Sequence, residues 1–148
     1  MQKISNILVG TDFSDSSHAA LAESQRIAEA VGGRLTVLHV IDEELTEILK
    51  QKLNMPESEL IRIASERLAK HVQEILGEPD KITREILIGC PFVEIVRAAK
   101  SHATDLLVLG SGGAETDGVH AGVLARRCVR KLPTKILLVR QNQHKPFA

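Results

Sequence analysis

The sequence predicts an open parallel α/β sheet covered by helices, and three observations carry that expectation. Five short apolar runs alternate with stretches of helical spacing, the order that right-handed strand–helix–strand crossovers require. Ile7-Leu8-Val9 and Leu106-Leu107-Val108-Leu109 are apolar without a break, the mark of strands buried on both faces. The apolar share comes from Leu, Ile, Val and Ala, with three Phe and neither Trp nor Tyr, which suits a sheet packed under helices.

Taken in chain order, the first strand is expected at Ile4–Gly10. A helix follows, marked by Ala20, Leu21, Ser24, Ile27, Ala28 and Val31, opened by Ser14 or Asp15 as a cap and closed by Gly32-Gly33. The second strand is Arg34–Ile41. Asp42–Met55 then falls outside the alternation, and Leu45, Ile48, Leu49 and Leu53 at helical spacing make it an extra helix or a lid. Leu60, Ala64, Leu68, Val72 and Ile75 mark the next helix, ending at Gly77. After the third strand, Ile82–Ile88, Pro91 stands at a first helical position ahead of Phe92, Ile95, Val96 and Ala99. The fourth strand is Asp105–Gly110. The last helix carries Ala121, Leu124, Ala125, Cys128 and Leu132, is stopped by Pro133, and leads to a fifth strand at Lys135–Arg140. Residues 1–140 form one expected domain, and the polar tail 141–148 is expected to be disordered.

Composition excludes several functions. Nineteen basic residues balance nineteen acidic ones, so no overall field points to nucleic acid or an anionic membrane. Cys90 and Cys128 form no CxxC pair, which favours a reducing compartment. No signal-peptide pattern opens the chain, and no apolar run approaches the roughly 18 residues of a membrane span. A soluble, cytoplasmic protein is expected.

Ligands of open α/β sheets bind beyond the carboxyl ends of the strands, where strand order reverses. Two loops there are unusual: Gly10–Ser17, rich in Ser and Asp, and Gly110–Gly122, rich in glycine. A glycine-rich loop opening a helix presents backbone N–H groups to phosphate. The P-loop pattern is absent, and Gly110-Ser111-Gly112 continues into Gly113, Ala114 and Glu115, which breaks the dinucleotide pattern.

Ile7-Leu8-Val9-Gly10-Thr11-Asp12-Phe13-Ser14 resembles the opening of universal stress proteins, and Ala19-Ala20-Leu21, Leu35–Val40 and Gly89-Cys90-Pro91 continue the likeness. Asp105–Ser111 and Pro133–Arg140 complete it over nearly the whole chain. The resemblance implies a Rossmann-like sheet of the adenine nucleotide α-hydrolase type, with five strands in the order 3-2-1-4-5 and helices on both faces. It implies that ATP or AMP, with Mg²⁺, binds where the first and fourth strand loops meet. Thr11, Asp12 and Val40 match the adenine side. Many members hold phosphate through G-x-x-G, nine residues, then G-[ST]. Gly110 and Gly113 fit the first part and Gly122 takes the final glycine. Eight residues instead of nine separate Gly113 from Gly122, and Val123 replaces the hydroxyl residue. Losing a hydroxyl bonded to a charged phosphate costs roughly 1.5–3 kcal/mol, about tenfold to a hundredfold in affinity. Weakened binding is the expectation.

Other residues have plainer readings. Asp12 either contacts adenine or caps its own turn. Cys90 is read as a spacer, His39 as strand packing, and His18, His71 and His102 as solvated helix faces. Arg126, Arg127, Arg130 and Lys131 are a solvated basic turn, and Glu115, Asp117 and His120 are not read as a metal site. Gly110–Gly122 is expected to be mobile until a phosphate or partner orders it. The apolar edge at Lys135–Arg140 invites pairing, and the resemblance also implies a homodimer through the last strand. No nucleophile–base–acid constellation emerges, so a binding module is expected. Against an enzyme of the wider adenine-binding α/β group, such as a pyrophosphatase or nucleotidyl transferase, stand the absent first-strand phosphate loop and catalytic lysine. A nucleotide-independent module acting on a protein partner is the alternative.

Overall fold

A computed structural model of the chain describes residues 3–77, 82–111 and 119–141, with only the helical backbone of 119–123. The order is β1 (Asn6–Gly10), α1 (Asp15–Val31), β2 (Arg34–Asp42), α2 (Glu43–Leu53), α3 (Glu57–Leu76), β3 (Ile82–Gly89), α4 (Pro91–Ser101), β4 (Leu106–Gly110), α5 (Val119–Lys131) and β5 (Lys135–Val139). The strands form one parallel sheet in the order β3-β2-β1-β4-β5.

Alternate strand residues feed two cores. Ile7, Val9, Leu35, Val37 and Val108 pack with Ala20, Leu21, Leu68 and Val72 of α1 and α3. Leu8, Leu38, Leu107 and Leu109 pack with Ile95, Ala98, Ala99 and Cys128 of α4 and α5. Burial pushes the Cys128 thiol pKa up, so it behaves as a small apolar group.

The helix signals act as the sequence implies. Ser14 caps α1, its hydroxyl accepting from the Ser17 amide, and Gly32 closes the helix at φ 67°. Pro91 opens α4. Asp42–Met55 contains a helix, with Asp42 as its N-cap through the Glu44 amide. Leu45, Ile48 and Leu53 lie exposed on it.

Strand ends shift by small amounts for visible reasons. β1 starts at Asn6 because the Ser5 and Asn6 amides donate to the Asp105 carboxylate, at 2.8 and 2.9 Å. Asp105 therefore ties β1 to β4 from outside the ladder. These two bonds hold its carboxyl below the ordinary range. β2 and β3 each run one residue further, because Asp42 pairs with Gly89. β5 ends at Val139. The tail beyond Gln141 and residues 112–118 of the expected mobile loop lie outside the described residues. No helix among the described residues is long and apolar enough to cross a membrane.

Candidate functional site

Strand order reverses between β1 and β4, and the end of β4 closes on the first turn of α1. A Cβ built on Gly110 would lie 2.7 Å from the Ser16 carbonyl carbon and 2.7 Å from its hydroxyl. Only glycine permits that approach, which seats the end of β4 on the first turn of α1. The Ser111 amide donates to the Val139 carbonyl at 2.8 Å, so the fourth-strand loop leaves from an anchored base.

The β1–α1 turn is held by its own side chains. The Thr11 amide donates to the Leu38 carbonyl at 2.9 Å. Thr11 is buried, and its hydroxyl accepts from the Phe13 amide at 3.1 Å. Asp12 Oδ1 accepts from the Ser14 amide at 2.9 Å and from the Ser17 hydroxyl at 2.6 Å. Burial opposes ionisation of Asp12, but the hydrogen bonds from Ser14 and Ser17 outweigh it, and the carboxyl sits below its ordinary value. A carboxylate poised this way is charged at neutral pH and accepts donors. Asp12 thus caps its own turn through Oδ1, and its side chain remains exposed.

Phe13 holds φ 65°, a left-handed conformation that costs a side chain roughly 1–2 kcal/mol. Contacts from two other elements offset it. The ring lies 4.5 Å from His39 of β2 and 5.2 Å from His71 of α3, centroid to centroid. The Arg67 guanidinium sits 4.1 Å above it. His39 Nδ1 lies 2.8 Å from the Thr11 carbonyl. A carbonyl only accepts, so Nδ1 carries the proton.

Three histidine readings need correction. His71 is buried, stacked 4.2 Å from His18, rather than on a solvated face. The signal was available: position 71 falls between Leu68 and Ile75 on the apolar stripe of α3. His18, half-buried, shares that contact. His102 Nε2 lies 2.6 Å from Glu85 Oε2, an approach across the sheet edge that spacing does not reveal. His39 is in strand packing, as expected. Arg126, Arg127, Arg130 and Lys131 are exposed, as expected, and Arg127 covers the Phe92 ring at 4.0 Å.

Of the expected binding residues, Thr11, Asp12 and Gly110 stand together at the switch point. Val40 is half-buried against the α4–α5 core. Gly113 lies outside the described residues. Gly122 and Val123 fall on the backbone of α5, and their surroundings lie outside the described residues. A cleft of about 280 Å³ between Lys3, Thr104, Asp105 and Lys135 lies at the opposite, amino-terminal pole, away from all of these.

Comparison with known proteins decides the family. The model of the universal stress protein family matches residues 3–140. The chain belongs to that family. A universal stress protein of Thermus aquaticus is 29% identical over 90% of this chain and 97% of its own length. Universal stress protein UspA of Lactobacillus plantarum, 29% identical, superposes over 95% of this chain and 100% of its own with a TM-score of 0.74. Two further family structures share the fold. One, solved with cAMP, is 23% identical over 95% of this chain and 100% of its own, TM-score 0.67. The other, from Archaeoglobus fulgidus with dAMP, is 20% identical over 93% and 99%, TM-score 0.66.

Proposed function

We propose that this universal stress protein binds an adenine nucleotide, ATP or AMP, where the carboxyl ends of β1 and β4 meet. It acts as a cytoplasmic stress-response or signalling module whose occupancy shifts loops or partners, and any ATP hydrolysis is incidental. The observation that carries this reading is the seating of Gly110 on Ser16. It seats the end of β4 on the first turn of α1, beside the β1–α1 turn at the switch point, where open α/β sheets bind ligands. Relatives of the same fold have been solved with cAMP and dAMP, which supports an adenine nucleotide.

In this reading Thr11, Asp12 and Val40 serve the adenine side. Gly110, Gly113, Gly122 and Val123 serve the phosphates through backbone N–H groups, weakly because Val123 brings no hydroxyl. Mg²⁺ enters with the triphosphate, as is usual for that ion. Two copies pair along β5, where Leu138 is 44% exposed on an edge strand. Sedimentation of the wild type at micromolar concentration checks this, and a monomer refutes it.

The test of the site is mass spectrometry of ligand released from purified protein, followed by calorimetry. Val123→Ser is expected to tighten ATP by about tenfold to a hundredfold and to leave adenosine unchanged. Equal changes for both ligands place residue 123 away from the phosphates. The second reading, a nucleotide-independent module, is favoured by the two bonds that Asp12 Oδ1 already makes inside its own turn. Protein that neither carries nor binds adenine nucleotide selects it.

A further inference from the structure

Two histidines from two elements meet the β1–α1 turn, His39 from β2 and His71 from α3, and His18 of α1 stacks on His71 behind it. The turn meets the first two through Phe13, its residue at positive φ, and through the Thr11 carbonyl bonded to His39. His71 is 7% exposed, and its Nε2 has no hydrogen-bond partner among the described residues. A proton placed there gains no acceptor, which a buried charge requires.

The surrounding charged and titratable groups are Arg67 and Glu74 of α3, Asp12 of the turn and His18 of α1. Arg67 lies over Phe13 and opposes a proton on His39 and on His71 alike. Asp12 favours a proton on His39, and Glu74 favours one on His71. Desolvation comes first for both rings. It lowers both pKa values from the ordinary 6.5; at His39 the Thr11 carbonyl opposes it without overcoming it, Arg67 adds to it at both rings, and for His71 the neighbouring His18 does too.

We propose that His39 and His71 are positioning residues that hold the Asp12 turn most firmly while neutral, making the nucleotide site loosen as pH falls. Both contact the Phe13 ring. Charging either ring sets it against Arg67, and the strained Phe13 backbone is then free to relax. Because both folded values lie below 6.5, the opened turn binds protons more readily than the closed one. The closed turn is therefore fully stable above pH 6.5. It weakens as pH drops through that value, and the loss is complete below the folded pKa values. The link to ligand rests on the proposed nucleotide site; the opening of the turn does not.

Amide hydrogen exchange by NMR, corrected for intrinsic rates, tests the opening without ligand. From pH 7.5 to pH 5.5, protection of the Phe13 and Ser14 amides should fall, by up to about tenfold for each proton and pKa unit involved. Leu8 and Val108, mid-sheet, should keep theirs. The His39→Gln/His71→Gln double variant should lose the pH dependence. Arg67→Gln, at a residue beside the cluster, should shrink the pH-dependent loss of protection and complete it at a higher pH, because Arg67 lowers both folded values. Constant protection in the wild type, or a pH dependence unchanged in either variant, overturns the proposal. Adenosine, which does not titrate in this window, then reads the link to the site. Its affinity should fall in parallel with turn opening, and equal affinity at both pH values overturns that link. No adenosine binding at either pH removes the nucleotide reading, and the exchange result still decides whether the switch exists.

Discussion

The two faces of one sheet end differently at its carboxyl pole. On the α4–α5 face the core runs from Leu8 and Leu107 to Cys128 and Leu132 as apolar packing. On the α1–α3 face the same strands supply Val9 and Val37, but the packing runs outward into Phe13, His39, His71 and Arg67. The first face is held by burial, which is insensitive to pH. The second is held by rings whose charge is sensitive to it, and it carries the turn with Asp12. The histidine rings of this second face lie where a turn needs holding.

The contrast can be broken most forcefully on the apolar face. Leu107 is fully buried, so Leu107→Ala should cost about 2–5 kcal/mol. The loss should be the same at pH 7.5 and pH 5.5. With neither Trp nor Tyr in the chain, urea unfolding followed by far-ultraviolet circular dichroism is the measurement. A strongly pH-dependent loss would mean that the two faces are coupled.

Phe13 sharpens the comparison next. Phe13→Ala removes the ring contacts but keeps a side chain at φ 65°, whereas Phe13→Gly removes both the contacts and the strain. The glycine variant should be more stable than the alanine variant by roughly 1–2 kcal/mol. Equal stability would show that the turn relaxes once the ring is gone.

Asp12 gives a smaller effect with a pH signature. Asp12→Ala removes the acceptor for the Ser14 amide and the Ser17 hydroxyl, a cap-like loss of about 0.5–2 kcal/mol. The folded carboxyl lies below its ordinary 3.8. The contribution of Asp12 is therefore present above that value and is lost as pH falls through the folded one. In the variant this part of the acid sensitivity should disappear from the pH–stability curve. The smallest change belongs to the surface pair of Arg62 with Glu66, where Arg62→Ala should stay within about 1 kcal/mol.

Every strand and helix was legible from periodicity and capping, because those signals are local. Even the extra helix after β2 announced itself through the spacing of Leu45, Ile48, Leu49 and Leu53. The site was legible only in outline. The serine run and the glycine at 110 marked the two loops. The contact between Gly110 and Ser16 joins residues 94 apart, and no periodicity encodes such an approach.

By itself the sequence determined the element order, the two apolar faces of the strands and the presence of an unusual turn after β1. These follow from repeats of two and 3.6 residues and from the restricted φ of proline and the freedom of glycine. Tertiary structure decided which histidines matter. His18, His39 and His71 come from three elements, and Phe13 and Arg67 complete the group only when α1, α3 and β2 converge. In sequence His71 is a polar residue on a helix. In the fold it is a buried base whose Nε2 has no partner among the described residues, because desolvation and neighbouring charge depend on distance in space rather than along the chain.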